Sequence, residues 1–196
     1  MPGGSDKEDT MDLIEQITAY QPVNEQEAAD KALILQHLQT SGNIYTRANQ
    51  TAHMTASAWV VSPDRTQVLM AFHRIYNSWA WLGGHADGER DLTAVARREA
   101  LEESGLEEIR LLTPEIISLE VLTVDGHEKR GAYVPSHLHL NVTYLFEADP
   151  AAPLRIKPDE NSGVAWIRMD EIDRKSNEPW FCQRVYSKLC KKAVQY

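Results

Sequence analysis

The chain has 196 residues, of which 42% are hydrophobic and 25% charged, and its formal net charge is −9. This length and composition suit one well-packed domain with an appendage. The acidic balance argues against an extended nucleic-acid surface, because a phosphate backbone is bound by clustered lysine and arginine.

Hydropathy and cysteine content point to the cytoplasm. No apolar run reaches the roughly 18 residues of a membrane span, and the first ten residues lack the apolar core of a signal peptide. The two cysteines, Cys182 and Cys190, have no partners at zinc-ligand spacing, which favours free thiols over a disulfide framework or a metal site. We therefore expect a cytoplasmic protein with neither a membrane nor a nucleic-acid partner.

Residues 1–50 are predicted to form a helical extension in front of a body at 51–196. Apolar residues recur at helical spacing from Ala28 to Leu38, after Asn24, which is a favourable N-cap. A shorter helix is predicted over 12–20. It is expected to end before Pro22, because the residue before a proline disfavours helix. We expect these helices to pack on the body or on a second copy of the chain in a homodimer, with a lid over the substrate as the alternative.

The periodicity changes to that of strands from Ser57 onward. Strands at 58–61 and 68–72 are predicted to form a hairpin around the turn at 62–65. Strands mixed with helices in this order predict an α/β or α+β fold. The remaining predicted elements are strands at 117–122, 138–146 and 164–167 and helices at 169–173 and 179–192.

One predicted helix carries carboxylates on the side that should be buried. It runs for about three turns between Asp91, an N-cap, and Gly105, which ends it. Because like charges three or four residues apart destabilise a helix, a cation is expected beside them. Mg²⁺ prefers such oxygen ligands, and a solvated acidic face is the alternative. The residues that share an arc of about 120° are Leu92, Val95, Ala96, Glu99, Glu102 and Glu103.

The segment from Gly84 to Leu106 resembles the Nudix box, the loop-helix-loop signature of hydrolases acting on nucleoside diphosphates linked to another moiety. Every position from Arg98 to Leu106 matches the box in residue class. The chain departs from it at Arg90, where the family has its first box glutamate. The resemblance implies an α/β/α sandwich with a mixed sheet, and Mg²⁺ or Mn²⁺ as cofactor.

The resemblance also implies the roles of the box residues. Arg98 lies off the acidic arc and is expected to orient a glutamate by ion pairing, with a plain surface arginine as the alternative. The implied metal site consists of Glu99 and Glu103 as ligands, Glu102 as a ligand or a holder of metal-bound water, and the backbone carbonyl of Gly83 as a further oxygen donor.

A general base often lies outside the box in this family, on a late loop. The polar, turn-rich segment 157–163 precedes a predicted strand, and Glu160 within it is our candidate base, with an exposed loop carboxylate as the alternative.

Four further residues are candidates for substrate binding. His85 belongs to the box loop and is expected near phosphate. His137 and His139 share one strand face, which suggests zinc, but without a third ligand we expect them to line a pocket. Tyr144 is a candidate for stacking on a base, with core packing as the alternative.

Three functions remain open. The leading one is a metal-dependent hydrolase that cleaves the diphosphate linkage of a small nucleotide-type substrate. The second is isomerisation of a prenyl diphosphate, although the extra catalytic cysteine expected near the box is absent. The third is a nucleotide-sensing module without catalysis, against which the intact Glu99, Glu102 and Glu103 argue. Markers of particular substrates are absent from the stretch around 122–125, so the sequence does not identify the diphosphate.

Overall fold

The structure, a computed structural model, describes residues 12–74, 77–129 and 131–196. Ten strands occur among these residues. The strands are β1 (Ala52–Val61), β2 (Gln67–His73), β3 (Ser78–Ala80), β4 (Leu82–His85), β5 (Arg110–Leu111), β6 (Ser118–Val124), β7 (His127–Lys129), β8 (Ala132–Val134), β9 (His137–Glu147) and β10 (Asn161–Arg168).

The helices of the described residues lie at both ends of the chain and between β4 and β5. A 3-10 turn at Met169–Glu171 and a π-helical segment at Cys182–Tyr186 complete the C-terminal helical region. The α-helices are α1 (Leu13–Ala19), α2 (Glu25–Thr40), α3 (Leu92–Ser104), α4 (Ile172–Lys175), α5 (Pro179–Phe181) and α6 (Ser187–Ala193).

Eight of the strands form one mixed sheet. Its main path runs β10-β2-β1-β9-β5, with β3 paired to β2, β4 to β1 and β6 to β9, while β7 and β8 form a separate two-stranded sheet. Strands β1 and β9 are parallel, and the other pairs are antiparallel. Apolar cores lie on both faces of the sheet, one including α3 and the other including α6. The predicted sandwich with a mixed sheet is confirmed.

The long central strand β1 is buried along its whole length, yet its two faces differ. One face carries Ala52, Met54 and Ala56 into the core under α3. The opposite face carries His53, Thr55 and Ser57, because side chains alternate along a strand. Polar groups therefore occupy the middle of one sheet face, a position that apolar side chains usually fill.

The predicted elements are present, with differences in the strands. Strand β1 begins at Ala52 and not near residue 58, and the short strands β3, β4, β5, β7 and β8 were not predicted. The predicted hairpin forms, with Val61 opposite Val68. In the part of the chain that the structure describes, no helix is both long and apolar enough to span a membrane.

Both helices of the N-terminal extension pack on the body of the same chain. Helix α2 begins as predicted, since the Asn24 side chain accepts a hydrogen bond from the Glu27 backbone N–H at 2.9 Å. Helix α2 lies against β6, and the Asp30 carboxylate accepts a hydrogen bond from the Val121 backbone N–H at 3.0 Å. Residues 1–11 of the predicted extension lie outside the described residues.

Candidate active site

Helix α3 has the predicted ends, which fix where its carboxylates lie. The Asp91 side chain accepts a hydrogen bond from the Ala94 backbone N–H at 2.9 Å, which caps the first turn. Gly105 ends the helix in the left-handed conformation with φ of 70°, which a residue with a Cβ atom adopts only at a cost. The acidic end of α3 is thereby directed at β4.

Glu103 is the most buried acid of this cluster, with only 1% of its surface exposed. Its Oε2 atom accepts a hydrogen bond from the Gly83 backbone N–H at 3.1 Å, and His73 Nε2 lies 3.7 Å from its Oε1 atom. Burial raises the pKa of Glu103 to about 8, and the nearby Glu160 and Glu99 add to this, against the effect of the Gly83 hydrogen bond. A buried acid of this kind is stabilised as the anion by a cation placed beside it.

Glu99 approaches the second glycine of β4. A Cβ atom built on Gly84 would lie 2.5 Å from the carboxyl carbon of Glu99, so the absence of a side chain at Gly84 makes room for this carboxylate. Burial raises the pKa of Glu99, although the ion pair with Arg98 opposes the shift. Arg98 makes the predicted ion pair, with Nη2 at 2.9 Å from Glu99 Oε1. The helix end and the glycine pair of β4 therefore enclose two carboxylates.

Glu102 does not share this buried position. Its side chain is 47% exposed, and its Oε2 atom lies 2.9 Å from the ammonium nitrogen of Lys157. The expectation that all three box glutamates face the buried side is wrong for Glu102, because it lies at the edge of the acidic arc and pairs with a lysine from outside the helix. Lys157 lies 55 residues after Glu102, so no spacing pattern in the sequence predicts this contact.

Lys157 also holds the candidate general base. Its ammonium lies 3.0 Å from Glu160 Oε1, so one lysine bridges Glu102 and Glu160. Partial burial opposes the charge, but the hydrogen bonds with both carboxylates raise the pKa of Lys157 above its ordinary value. Glu160 is 41% exposed and influences the pKa of both Glu103 and His73. The loop that carries Lys157 and Glu160 therefore lies beside helix α3 of the box.

Arg90 stands where the resemblance implies a glutamate, and it contacts the N-terminal region. Its guanidinium lies over the ring of Tyr45, 5.2 Å from the ring centroid. The same loop is tied down by a hydrogen bond of 2.8 Å from the Gly88 backbone N–H to the Tyr45 carbonyl and by the ion pair of Arg47 with Asp87 at 2.7 Å. At position 90 the chain therefore has, in place of the glutamate of the box, an arginine whose contact with Tyr45 helps to anchor the box loop.

The three histidines expected near the substrate meet a fourth, His53 of β1. His139 Nε2 lies 3.2 Å from His85 Nε2 and 3.2 Å from His137 Nε2. The ring centroid of His53 is 4.8 Å from that of His137 and 5.1 Å from that of His139. The third possible metal ligand beside His137 and His139, which the sequence alone did not identify, is therefore His53, 84 residues before His137 along the chain.

Tyr144 lies in the core under α3 and is 2% exposed. Burial raises the pKa of its hydroxyl to about 12. A ring so enclosed is not open to a substrate base, so Tyr144 packs the core and is not retained as a substrate-binding candidate. His73, like Lys157, lies at the carboxylates and was missed by sequence reasoning.

One surface groove near α3 does not include the candidate site. A surface groove of about 1250 Å³ is lined by residues around the C-terminal end of α3, but none of the candidate site residues lines it. Cys182 and Cys190 lie with the core that includes α6, on the sheet face opposite α3. The case for a site rests on the carboxylates and their surroundings.

Comparison with known proteins identifies a domain and a fold. The family model described as NUDIX domain matches residues 51–188. No curated protein matches the chain. Among solved structures, a Nudix hydrolase from M. smegmatis, RenU, is 17% identical, with a TM-score of 0.54 over 73% of this chain and 86% of that one. The E. coli dihydroneopterin triphosphate pyrophosphohydrolase is 12% identical, with a TM-score of 0.52 over 71% of this chain and 96% of that one.

Proposed function

The chain belongs to the Nudix family, and on that premise we propose that it is a divalent-metal-dependent hydrolase of a nucleoside diphosphate linked to another moiety. The observation that carries the proposal is the pair of enclosed carboxylates, Glu99 and Glu103, which meet the two glycines at the end of β4. The family match covers the body of the chain from residue 51, which supports treating residues 1–50 as an extension of the catalytic domain.

The donor set fits a hard divalent cation. Carboxylate and carbonyl oxygens suit Mg²⁺ and Mn²⁺, which bind through one or two carboxylates together with water and substrate phosphate. Glu99 and Glu103 would hold the ion, with the Gly83 carbonyl as a further donor. The exposed Glu102 is better suited to holding a water of the ion than to direct binding. The raised pKa of Glu103 supports this assignment, because a cation would restore its charged form.

Hydrolysis of a phosphoanhydride requires charge neutralisation and an oriented water. When bound, the ion would neutralise phosphate oxygens and make a water more acidic. We assign Glu160 the role of accepting a proton as water attacks phosphorus, while the bridging P–O bond breaks and the leaving phosphate departs. Lys157 would fix the Glu160 carboxylate, and Arg98 would fix that of Glu99.

His85 contributes only its backbone to the carboxylate site, because its side chain lies on the sheet face opposite α3. It follows Gly83 and Gly84 on β4, and its backbone carbonyl lies 3.4 Å from Arg98 Nη2. The similar E. coli structure belongs to an enzyme that, by its name, acts on dihydroneopterin triphosphate. We propose only the substrate class for this chain, a small molecule with a diphosphate linkage.

The two alternatives make different predictions. A prenyl-diphosphate isomerase of the kind considered above would use a cysteine near the box, and both cysteines lie on the other face of the sheet. A sensing module would bind nucleotide without turnover. That function does not explain why two carboxylates are enclosed, because the burial of charged groups lowers stability.

A substrate screen tests the proposal. Purified protein is assayed for release of mononucleotide or phosphate from nucleotide sugars, dinucleotides, dinucleoside polyphosphates and nucleoside triphosphates, with Mg²⁺, with Mn²⁺ or with a chelator. We expect turnover of at least one diphosphate only with metal. Binding of nucleotides without turnover supports a sensing module, and isomerisation of a prenyl diphosphate supports the second alternative; either result contradicts the proposal.

A further inference from the structure

The four histidines lie on the sheet face opposite α3, at one end of β1, β4 and β9. In the strand pairings His53 is opposite His139, and His85 is opposite Thr55, so that His53, Thr55, His85 and His139 share one face. His137 is two residues before His139 and points the same way. We call this set the histidine cluster (His53, His85, His137 and His139). Among the described residues, the side chains at this end of the sheet that are close enough to share a metal ion are those of His53, His137 and His139.

Two rings of the histidine cluster are fixed in orientation by backbone carbonyls. His53 Nδ1 lies 3.0 Å from the Asn49 carbonyl oxygen, and His137 Nδ1 lies 2.8 Å from the Pro135 carbonyl oxygen. A carbonyl only accepts, so each Nδ1 carries a proton, and in the neutral form of such a ring Nε2 has a free lone pair. A backbone carbonyl in this role is the usual partner of a histidine that binds metal through its other nitrogen.

For two histidines of the cluster, His53 and His139, ordinary hydrogen bonding does not account for the position of the Nε2 atom. His53 Nε2 is buried and has no hydrogen-bond partner within the described ranges. His139 Nε2 lies at the same short distance from two other Nε2 atoms, and in a neutral ring this atom makes a good hydrogen bond with only one of them. Buried polar atoms are nearly always satisfied, so the partnerless Nε2 atom of His53, close to His137 and His139, indicates a bound cation.

The separations match those around a tetrahedral ion. With Zn–N bonds of about 2.0–2.1 Å, neighbouring ligand nitrogens lie about 3.3 Å apart. The His137–His139 and His85–His139 separations are both 3.2 Å. One ligand nitrogen each from His53, His137 and His139 falls within 4.8 Å of the others, a span that small side-chain rotations close.

We propose that His53, His137 and His139 bind a transition-metal ion of the zinc class, with His85 placed to supply the fourth ligand. Imidazole suits Zn²⁺, whereas Mg²⁺ takes oxygen donors, so this site is chemically distinct from the carboxylate site. A metal here would tie β1, β4 and β9 together at the strand end that continues into the box loop. The proposal does not depend on the substrate or on hydrolysis.

Direct titration with Zn²⁺ tests the proposal. Protein produced without a polyhistidine tag is stripped with chelator, desalted, and titrated with Zn²⁺ against a chromophoric competitor in millimolar Mg²⁺, which occupies oxygen sites. We expect one equivalent of Zn²⁺, and affinity at least about tenfold weaker in His139→Ala and in His137→Ala. Co²⁺ in place of Zn²⁺ should give the intense visible absorption of a tetrahedral site.

Two matched variants control the titration. His37→Ala removes a histidine of α2 outside the histidine cluster, and Glu103→Gln alters the carboxylate site; both should leave Zn²⁺ affinity within about threefold of the unchanged protein. His85→Ala serves if His139→Ala does not fold. Absence of Zn²⁺ binding, or a loss smaller than tenfold in folded His137→Ala and His85→Ala, overturns the proposal.

Discussion

At the scale of single residues, the site depends on a glycine where a side chain would intrude. Gly84 leaves room for the Glu99 carboxylate, whose carbon would lie 2.5 Å from an added Cβ atom. Contacts that short force the flexible side chain to move. The position of Glu99 is therefore linked to the absence of a methyl group on the neighbouring strand.

Gly84→Ala should lower kcat by about tenfold or more, because displacement of Glu99 by even 1 Å disturbs the geometry of the reacting groups. Gly42→Ala is the matched control, since nothing lies within 4 Å of a Cβ atom there. Steady-state kinetics on the substrate found by the screen measure both. A Gly84→Ala variant as active as Gly42→Ala would show that Glu99 has no required position.

Single residues also show how far sequence reasoning reaches. The spacing within α3 predicted the helix ends and the burial of Glu103, because both follow from local periodicity and capping. It did not predict that Glu102 turns to Lys157, or that His53 joins His137 and His139. Those contacts join residues far apart in sequence, and only the pairing of strands and loops brings them together.

At the scale of elements, a buried ionic network connects α2, the sheet and α6. The ammonium of Lys188 lies 2.9 Å from both Glu27 Oε1 and Glu120 Oε1, and neither acid is exposed. The Tyr20 hydroxyl donates to Glu27 at 2.7 Å, and Asn141 of β9 donates to Glu120 at 3.1 Å. The N-terminal and C-terminal helices are thereby held to the same polar face of the sheet.

The predicted strand at 58–61 missed the first half of β1, although apolar and polar residues alternate from Ala52 to Ser57 in the pattern of a half-buried strand. The alternation does not reveal that the polar face is buried as well. Thr55 and Ser57 donate to the Asn141 side-chain oxygen at 3.0 and 2.9 Å, which satisfies their buried hydroxyls. These partners come from β9 and are known only from the structure.

Glu27→Gln should reduce the free energy of unfolding by about 3 kcal/mol at neutral pH, because it removes one charge from a buried set. Burial opposes ionisation, yet hydrogen bonds from Tyr20 and Val23 and the charge of Lys188 hold the pKa of Glu27 below its ordinary value of 4.5. The advantage of the unchanged protein is therefore fully present above pH 4.5 and is lost as the pH falls through the lowered pKa.

Urea unfolding at neutral and acidic pH measures this difference. Glu25→Gln is the control, because Glu25 lies in the same helical turn, also forms an ion pair, and is 76% exposed. It should leave the free energy of unfolding nearly unchanged, because an ion pair in solvent contributes little. A difference between Glu27→Gln and the unchanged protein that grows on acidification would contradict the assigned charge state.

At the scale of the whole molecule, the two proposed sites lie on opposite faces of the sheet. The face under α3 directs Glu99 and Glu103 at β4, and the opposite face carries the histidine cluster at the end of the same strand. The N-terminal extension contacts both regions of this arrangement, through Tyr45 beneath Arg90 and through Glu27 beside Lys188. The extension thus belongs to the architecture that supports the box.

The central claim is that enclosed carboxylates at the end of α3 hold the ion that hydrolysis requires. The direct measurement is kcat at saturating Mg²⁺ for Glu103→Gln beside Glu107→Gln, an exposed acid just beyond the box. We expect kcat to fall about 100-fold or more in Glu103→Gln and to stay within about twofold in Glu107→Gln. A Glu103→Gln enzyme that retains the kcat of the Glu107→Gln enzyme would contradict the account.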